Sequence, residues 1–138
     1  VTLIRKGWGR DTPAFRQVFT SQFFRRDADP GLMAHFNELQ RASATPETAA
    51  RYYESLHRRG DGRDLFRQVS VPTLVVHSRD DIAVSAEEGR LLASTIPGAE
   101  LVLLPSGSHY FPTDARAATL AAGAIHQFLQ TRRGVKAP

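Results

Sequence analysis

The sequence contains no cysteine, and that absence removes disulfides, a cysteine nucleophile and thiolate-bound metal from the functions open to it. Long apolar runs are missing too: no window approaches the ~18 consecutive apolar residues that a membrane helix needs. The first residues show neither the charged nor the apolar region of a signal peptide. The expected compartment is therefore the cytoplasm, with no membrane partner. Internal repeats and low-complexity tracts are likewise absent. Lysine is scarce, so the net charge of +4 is carried almost wholly by arginine. These arginines run from Arg5 to Arg133 and are interleaved with acids. The pairs Arg25-Arg26 and Arg58-Arg59 and the tail from Arg132 to Lys136 are short, which reads as a solvated basic surface rather than a nucleic-acid site.

What remains is ordinary for a folded chain: 138 residues, 41% apolar and 23% charged, enough for one domain with a real core. Two textures divide it. Residues 1–69 carry helical periodicity, and residues 70–138 alternate strand and helix. In the first part, Thr12-Pro13 opens a helix with Phe15, Phe19 and Phe23 on one face. Asp29-Pro30 opens a second, running to about Arg41 with Leu32, Phe36 and Leu39 in a stripe. Thr45-Pro46-Glu47 opens a third, ending near Arg59-Gly60, with Gly60 and Gly62 as stop signals. The phenylalanine stripe and Trp8 read as core.

The second part begins with Thr73-Leu-Val-Val-His77, rich in β-branched residues and without polar alternation, the pattern of a parallel strand covered on both faces. Ser85-Ala-Glu-Glu88 fits a capping box for a helix that points Leu91, Leu92 and Ile96 inward and stops at Pro97-Gly98. A second strand follows at Glu100-Leu-Val-Leu-Leu104. Thr113-Asp114 then caps a long helix with Leu120, Ala121, Ala124, Ile125, Phe128 and Leu129 along its inner face, and the tail beyond Arg132 is expected to fray. This order gives two parallel neighbours joined by a right-handed crossover. Two parallel strands are marginal alone. The expectation is an incomplete α/β domain whose other strands come from an N-terminal half, and whose open sheet edge favours homo-oligomers.

In open parallel sheets ligands bind beyond the carboxyl ends of the strands. Those ends here are His77-Ser-Arg-Asp80-Asp81-Ile-Ala-Val84 and Pro105-Ser-Gly107-Ser108-His109-Tyr110-Phe111. A carboxylate after one strand and a histidine after its neighbour lie side by side, since neighbouring strands are ~4.8 Å apart. A carboxylate fixes an imidazole tautomer and stabilises the imidazolium, so the pair is an acid and the base it orients. Asp81 is the candidate acid, with Asp80 open as a one-residue shift, and His109 the candidate base. Tyr110 and Phe111 are candidate substrate-pocket walls. His77 reads as a strand-end histidine bonded to backbone. His35, His57 and His126 sit in helices at no metal-ligand spacing, so neither metal nor other cofactor is expected.

The run from Pro72 to Val84, the helix, Ile96 to Leu104 and then Gly107-Ser-His109 resembles the C-terminal half of the α/β-hydrolase family. The resemblance implies a fold class of α/β, a helical cap (1–69) followed by the strand-helix-strand-helix of a parallel sheet (70–138). It also implies a triad in the order serine, acid, histidine, with Asp81 four residues beyond His77 as the acid and His109 two beyond Gly107 as the base. Ser78 stands where the family often has glycine, and Ser85 where it often has proline. No Gly-x-Ser-x-Gly occurs, and none of the nine serines lies between a strand and a helix in the context of a nucleophile elbow. The segment from Arg5 to Phe24 is similar to hydrolase-like domains at the C-terminus of regulatory proteins. The implied function is hydrolysis of an ester, thioester or lactone of a small apolar compound, with the nucleophile supplied upstream. The alternative is a non-catalytic sensor or dimerisation module.

Overall fold

The computed structural model describes residues 1–58 and 62–132. Arg59, Gly60 and the tail beyond Arg132, where a helix end and fraying are expected, lie outside the described residues. The chain divides into two units, Val1–Asp61 and Gly62–Pro138.

The first unit is helical: α1 (Thr2–Gly7), α2 (Ala14–Phe23), α3 (Pro30–Ser43) and α4 (Pro46–Arg58). The local chemistry explains the starts. Asp29 accepts the Leu32 N–H at 2.7 Å with Pro30 at the first helical position, and Thr45 Oγ1 accepts the Thr48 N–H, each satisfying a donor the helix cannot pair internally. At α2 the helix starts one residue later than the sequence predicts, with Pro13 itself as the capping residue.

Helix α1 packs on α4 and α2 on α3, by different chemistry. Between α1 and α4 the core is apolar: Ile4, Trp8, Ala49 and Ala50, with Phe15, Phe19, Ala44 and Tyr53 against it. Trp8 stacks edge-on to Phe19, while its Nε1–H donates to the Gln40 and Ala44 carbonyls, so the indole is buried without losing its hydrogen bond. Gly7 is required for this contact, because a Cβ there would lie 2.5 Å from Phe15 Cγ.

Between α2 and α3 the most buried side chains are polar. Arg16 is 1% exposed. Its Nε–H donates to the Asn37 carbonyl and its Nη1 to the carbonyls of Trp8 and Arg10. Thr20 donates to Asn37 Oδ1, Asn37 to Gln17 and Gln40 to Thr20. This corrects the predicted α3 stripe: Leu32 and Phe36 are half-buried, Leu39 is exposed, and the residue of α3 that is sealed is Asn37. Aromatic pairs Phe24–Phe36 and Phe23–Phe36 close the end of that interface.

The second unit runs α5 (Arg63–Phe66), β1 (Leu74–Ser78), α6 (Ala86–Thr95), β2 (Glu100–Leu104), a 3-10 turn (Phe111–Thr113) and α7 (Ala115–Arg132). Helix α5 packs on α6, which groups residues 62–69 with the strands rather than with the preceding helices. The strands pair in parallel, Leu74 with Glu100 through Ser78 with Leu104. Alternation along β1 divides the two faces. Val76 joins Val102, Leu104, Ala117, Ala121 and Phe111 under α7, whereas His77 faces α6, where its ring lies against Gly89.

Ser85 caps α6 by accepting the Glu87 N–H, and Gly98, at φ +70, turns the chain from α6 into β2 in a conformation suited to glycine. The helix faces are narrower than predicted. On α6, Ile96 is buried, Leu92 half-buried and Leu91 exposed; on α7, Ala117 and Ala121 are sealed while Leu120, Ile125 and Leu129 stand out at 42–52% exposure. With a sheet of two strands, each helix has little surface to cover, so only its nearest ridge is buried.

Candidate active site

The site forms where β1 and β2 end. Their pairing continues past the last strand residues: the Arg79 N–H donates to the Leu104 carbonyl at 2.8 Å and the Asp80 N–H to the Ser106 carbonyl at 3.1 Å. Three buried serines brace the same place. Ser78 Oγ donates to the Ser108 carbonyl at 2.7 Å, and Ser106 Oγ accepts the Ser108 N–H. The two loops are thereby tied together one residue before Asp81 and one before His109.

Asp81 and His109 meet there. His109 Nδ1–H donates to Asp81 Oδ2 at 2.8 Å, and the other carboxylate oxygen, Oδ1, accepts the N–H groups of Ala83 and Val84 at 2.8 and 3.0 Å. The Asp81 side chain is 2% exposed and that of His109 37%. Burial works against the Asp81 charge, but the Val84 N–H, the His109 imidazole and the Ala83 N–H outweigh it and hold the carboxyl below the usual carboxylate range. An ionised Asp81 can only accept, so the proton of the shared bond sits on His109 Nδ1, and the neutral ring keeps its lone pair on Nε2. That is the tautomer a general base needs.

Among the other predicted positions, Asp80 is exposed and meets the neighbouring loop through its backbone N–H. It is Asp81 that the structure brings to His109. Tyr110 is 45% exposed beside the base, and Phe111 packs on the Leu104, Ala117 and Ala121 cluster. His77 Nε2 lies 3.1 Å from the Val84 carbonyl oxygen. The serine brace was missed by the sequence reading. Its one signal was Ser78 in place of the glycine expected there, a hydroxyl at a strand end that must find a partner once buried.

Comparison with solved structures fits this arrangement. The chain superposes on an esterase from Exiguobacterium antarcticum with a TM-score of 0.74 at 20% identity, over 92% of this chain and 46% of that one. For a bromoperoxidase from Bacillus anthracis the values are 0.74 and 26%, over 94% and 48%, and for an enol-lactonase from Burkholderia xenovorans 0.73 and 22%, over 94% and 49%. The chain has the fold of the C-terminal half of an α/β-hydrolase. It spans about half the length of each of these hydrolase-fold proteins. No protein-family profile and no curated protein matches the sequence. The likeness is thus carried by the fold. Among the described residues no helix is long and apolar enough to cross a membrane.

Proposed function

We propose that this chain supplies the acid, Asp81, and the base, His109, of a serine hydrolase of the α/β-hydrolase type, acting on an ester, thioester or lactone of a small apolar compound. The nucleophilic serine comes from an N-terminal half of the same fold. The single observation that carries this is the 2.8 Å bond from His109 Nδ1 to a sealed Asp81 carboxylate at adjacent parallel strand ends. In this reading His109, oriented by Asp81, takes a proton from a hydroxyl and returns it to a leaving group. On the same reading the helical unit Val1–Asp61 corresponds to the cap segment of the hydrolase fold, and Tyr110 and Phe111 are substrate-binding residues. Two of the solved neighbours, an esterase and an enol-lactonase, support the substrate class.

The test is hydrolysis of short p-nitrophenyl esters by a protein that joins this chain to the upstream half. Asp81→Ala and His109→Ala are each expected to lower kcat by about 10³-fold or more, because triad members act as a unit. Full activity in both variants overturns the proposal. A second reading, a ligand-binding sensor, is favoured by one observation: Ser78, Ser106 and Ser108, the serines at the two strand ends, are buried in the brace between the loops. Binding of such esters to the joined protein without turnover supports that reading instead.

A further inference from the structure

We infer that His77 is a positioning residue for the Asp81–His109 pair: it clamps the carbonyl of Val84, the residue whose N–H holds Asp81, and sets a second imidazole against the carboxylate oxygen used by His109. This rests on the reading of Asp81 and His109 as acid and base, and it adds a residue to that site. Val84 is gripped from two directions. Its N–H donates to Asp81 Oδ1 at 3.0 Å, and its carbonyl oxygen lies 3.1 Å from His77 Nε2. A carbonyl can only accept, so His77 carries its proton on Nε2. The same Nε2 is 3.6 Å from Asp81 Oδ2, and the His77 side chain is 13% exposed.

The ring has a prepared seat. A Cβ on Gly89, which is buried in α6, would lie 3.0 Å from His77 Cγ and Nδ1 and 3.1 Å from its Cβ. A glycine there lets the helix backbone approach the ring closely, and the seat aims Nε2 at the loop. Position 77 is thus the rigid strand end from which the loop carrying Asp81, Ala83 and Val84 is held. Without it the loop keeps its serine-braced start at Arg79 and Asp80 but loses the anchor at its far end. The carboxylate would then share its N–H donors with water, and the acid and base would no longer meet in one fixed geometry.

The experiment uses this chain and nuclear magnetic resonance, reading two signals that a merely stabilising residue leaves unchanged. One is the hydrogen-bonded Nδ1–H of His109; the other is the titration midpoint of the Asp81 carboxyl carbon. In His77→Phe the Nδ1–H signal is expected to be lost to solvent exchange, and the Asp81 midpoint to move up towards the ordinary carboxylate range. His77→Gln, whose amide N–H reaches towards the same carbonyl, restores both. Gly89→Ala, which unseats the ring while keeping the imidazole, reproduces the His77→Phe result in part and carries the test if His77→Phe fails to fold. Wild-type signals in folded His77→Phe or, should that variant not fold, in Gly89→Ala overturn the role of His77 and leave the pair intact. A wild-type chain with neither the Nδ1–H signal nor a lowered Asp81 midpoint removes the acid and base reading itself, and the inference with it.

Discussion

Arg16 in one unit and Asp81 in the other each have an almost completely buried charged side chain, and the two are treated in opposite ways. Arg16, in the helical unit, is enclosed by the backbone carbonyls of Trp8, Arg10 and Asn37. None of those partners titrates. Asp81, in the strand unit, is also sealed, but one of its partners is an imidazole that remains 37% exposed. Both charges are satisfied, as burial demands. A buried ion held by carbonyls is architecture, since nothing about it changes with conditions. A buried ion held by a half-exposed imidazole fixes the orientation of a group that a ligand can still reach.

The most damaging way to break this comparison is at Arg16. Replacement by Met removes the charge and leaves three carbonyls facing a side chain that cannot donate, and the expected cost is about 3–5 kcal/mol, read as a lowered urea midpoint with the helical signal lost. A cost below about 1 kcal/mol would place Arg16 among the dispensable arginines instead.

The second break is at Asp81 and depends on pH. Its folded pKa is depressed, so the stability it contributes is present above its unfolded value, near 3.9, and is lost as pH falls through the lower folded value. Asp81→Asn is therefore expected to flatten the decline of stability below about pH 4, while its stability at pH 7 stays within about 2 kcal/mol of the parent. Urea titrations from pH 2 to 7 check this, and an unchanged acid limb argues against an ionised, hydrogen-bonded Asp81.

The smallest effect sharpens the comparison from outside. Arg41 and Glu38 form an exposed i,i+3 pair in which the arginine holds the carboxyl of Glu38 below its usual range. Glu38→Gln should leave the urea midpoint essentially unchanged, because water and salt screen such pairs. A clear loss would mean that surface charge, and not enclosure, decides which ions matter here.

The strand unit was the more legible half. Pro72 to His77, the Ser85 cap, Pro97-Gly98 and the second strand all carry short-range signals, and the observed strands fall within one residue of the predicted ones. Asp81 and His109 were legible for the same reason: each follows a strand whose position was clear, and parallel pairing puts neighbouring strand ends together. The helical unit was less legible where it matters most. Hydrophobic periodicity turns Arg16, Thr20 and Asn37 towards solvent, because it counts polarity and not partners. Only packing showed that α2 and α3 meet through them.

By itself, the sequence determined the order of helices and strands, the absence of sulfur chemistry and the two strand-end loops in which an acid and a base stand. These follow from caps, turn residues and side-chain periodicity, all local in the chain. The tertiary structure decided that Asp81 rather than Asp80 reaches His109, that three serines tie the two loops together, and that His77 sits in a seat made by Gly89. Each of those depends on hydrogen bonds or contacts between residues brought together by parallel pairing and helix packing, and such partners have no fixed spacing along the chain.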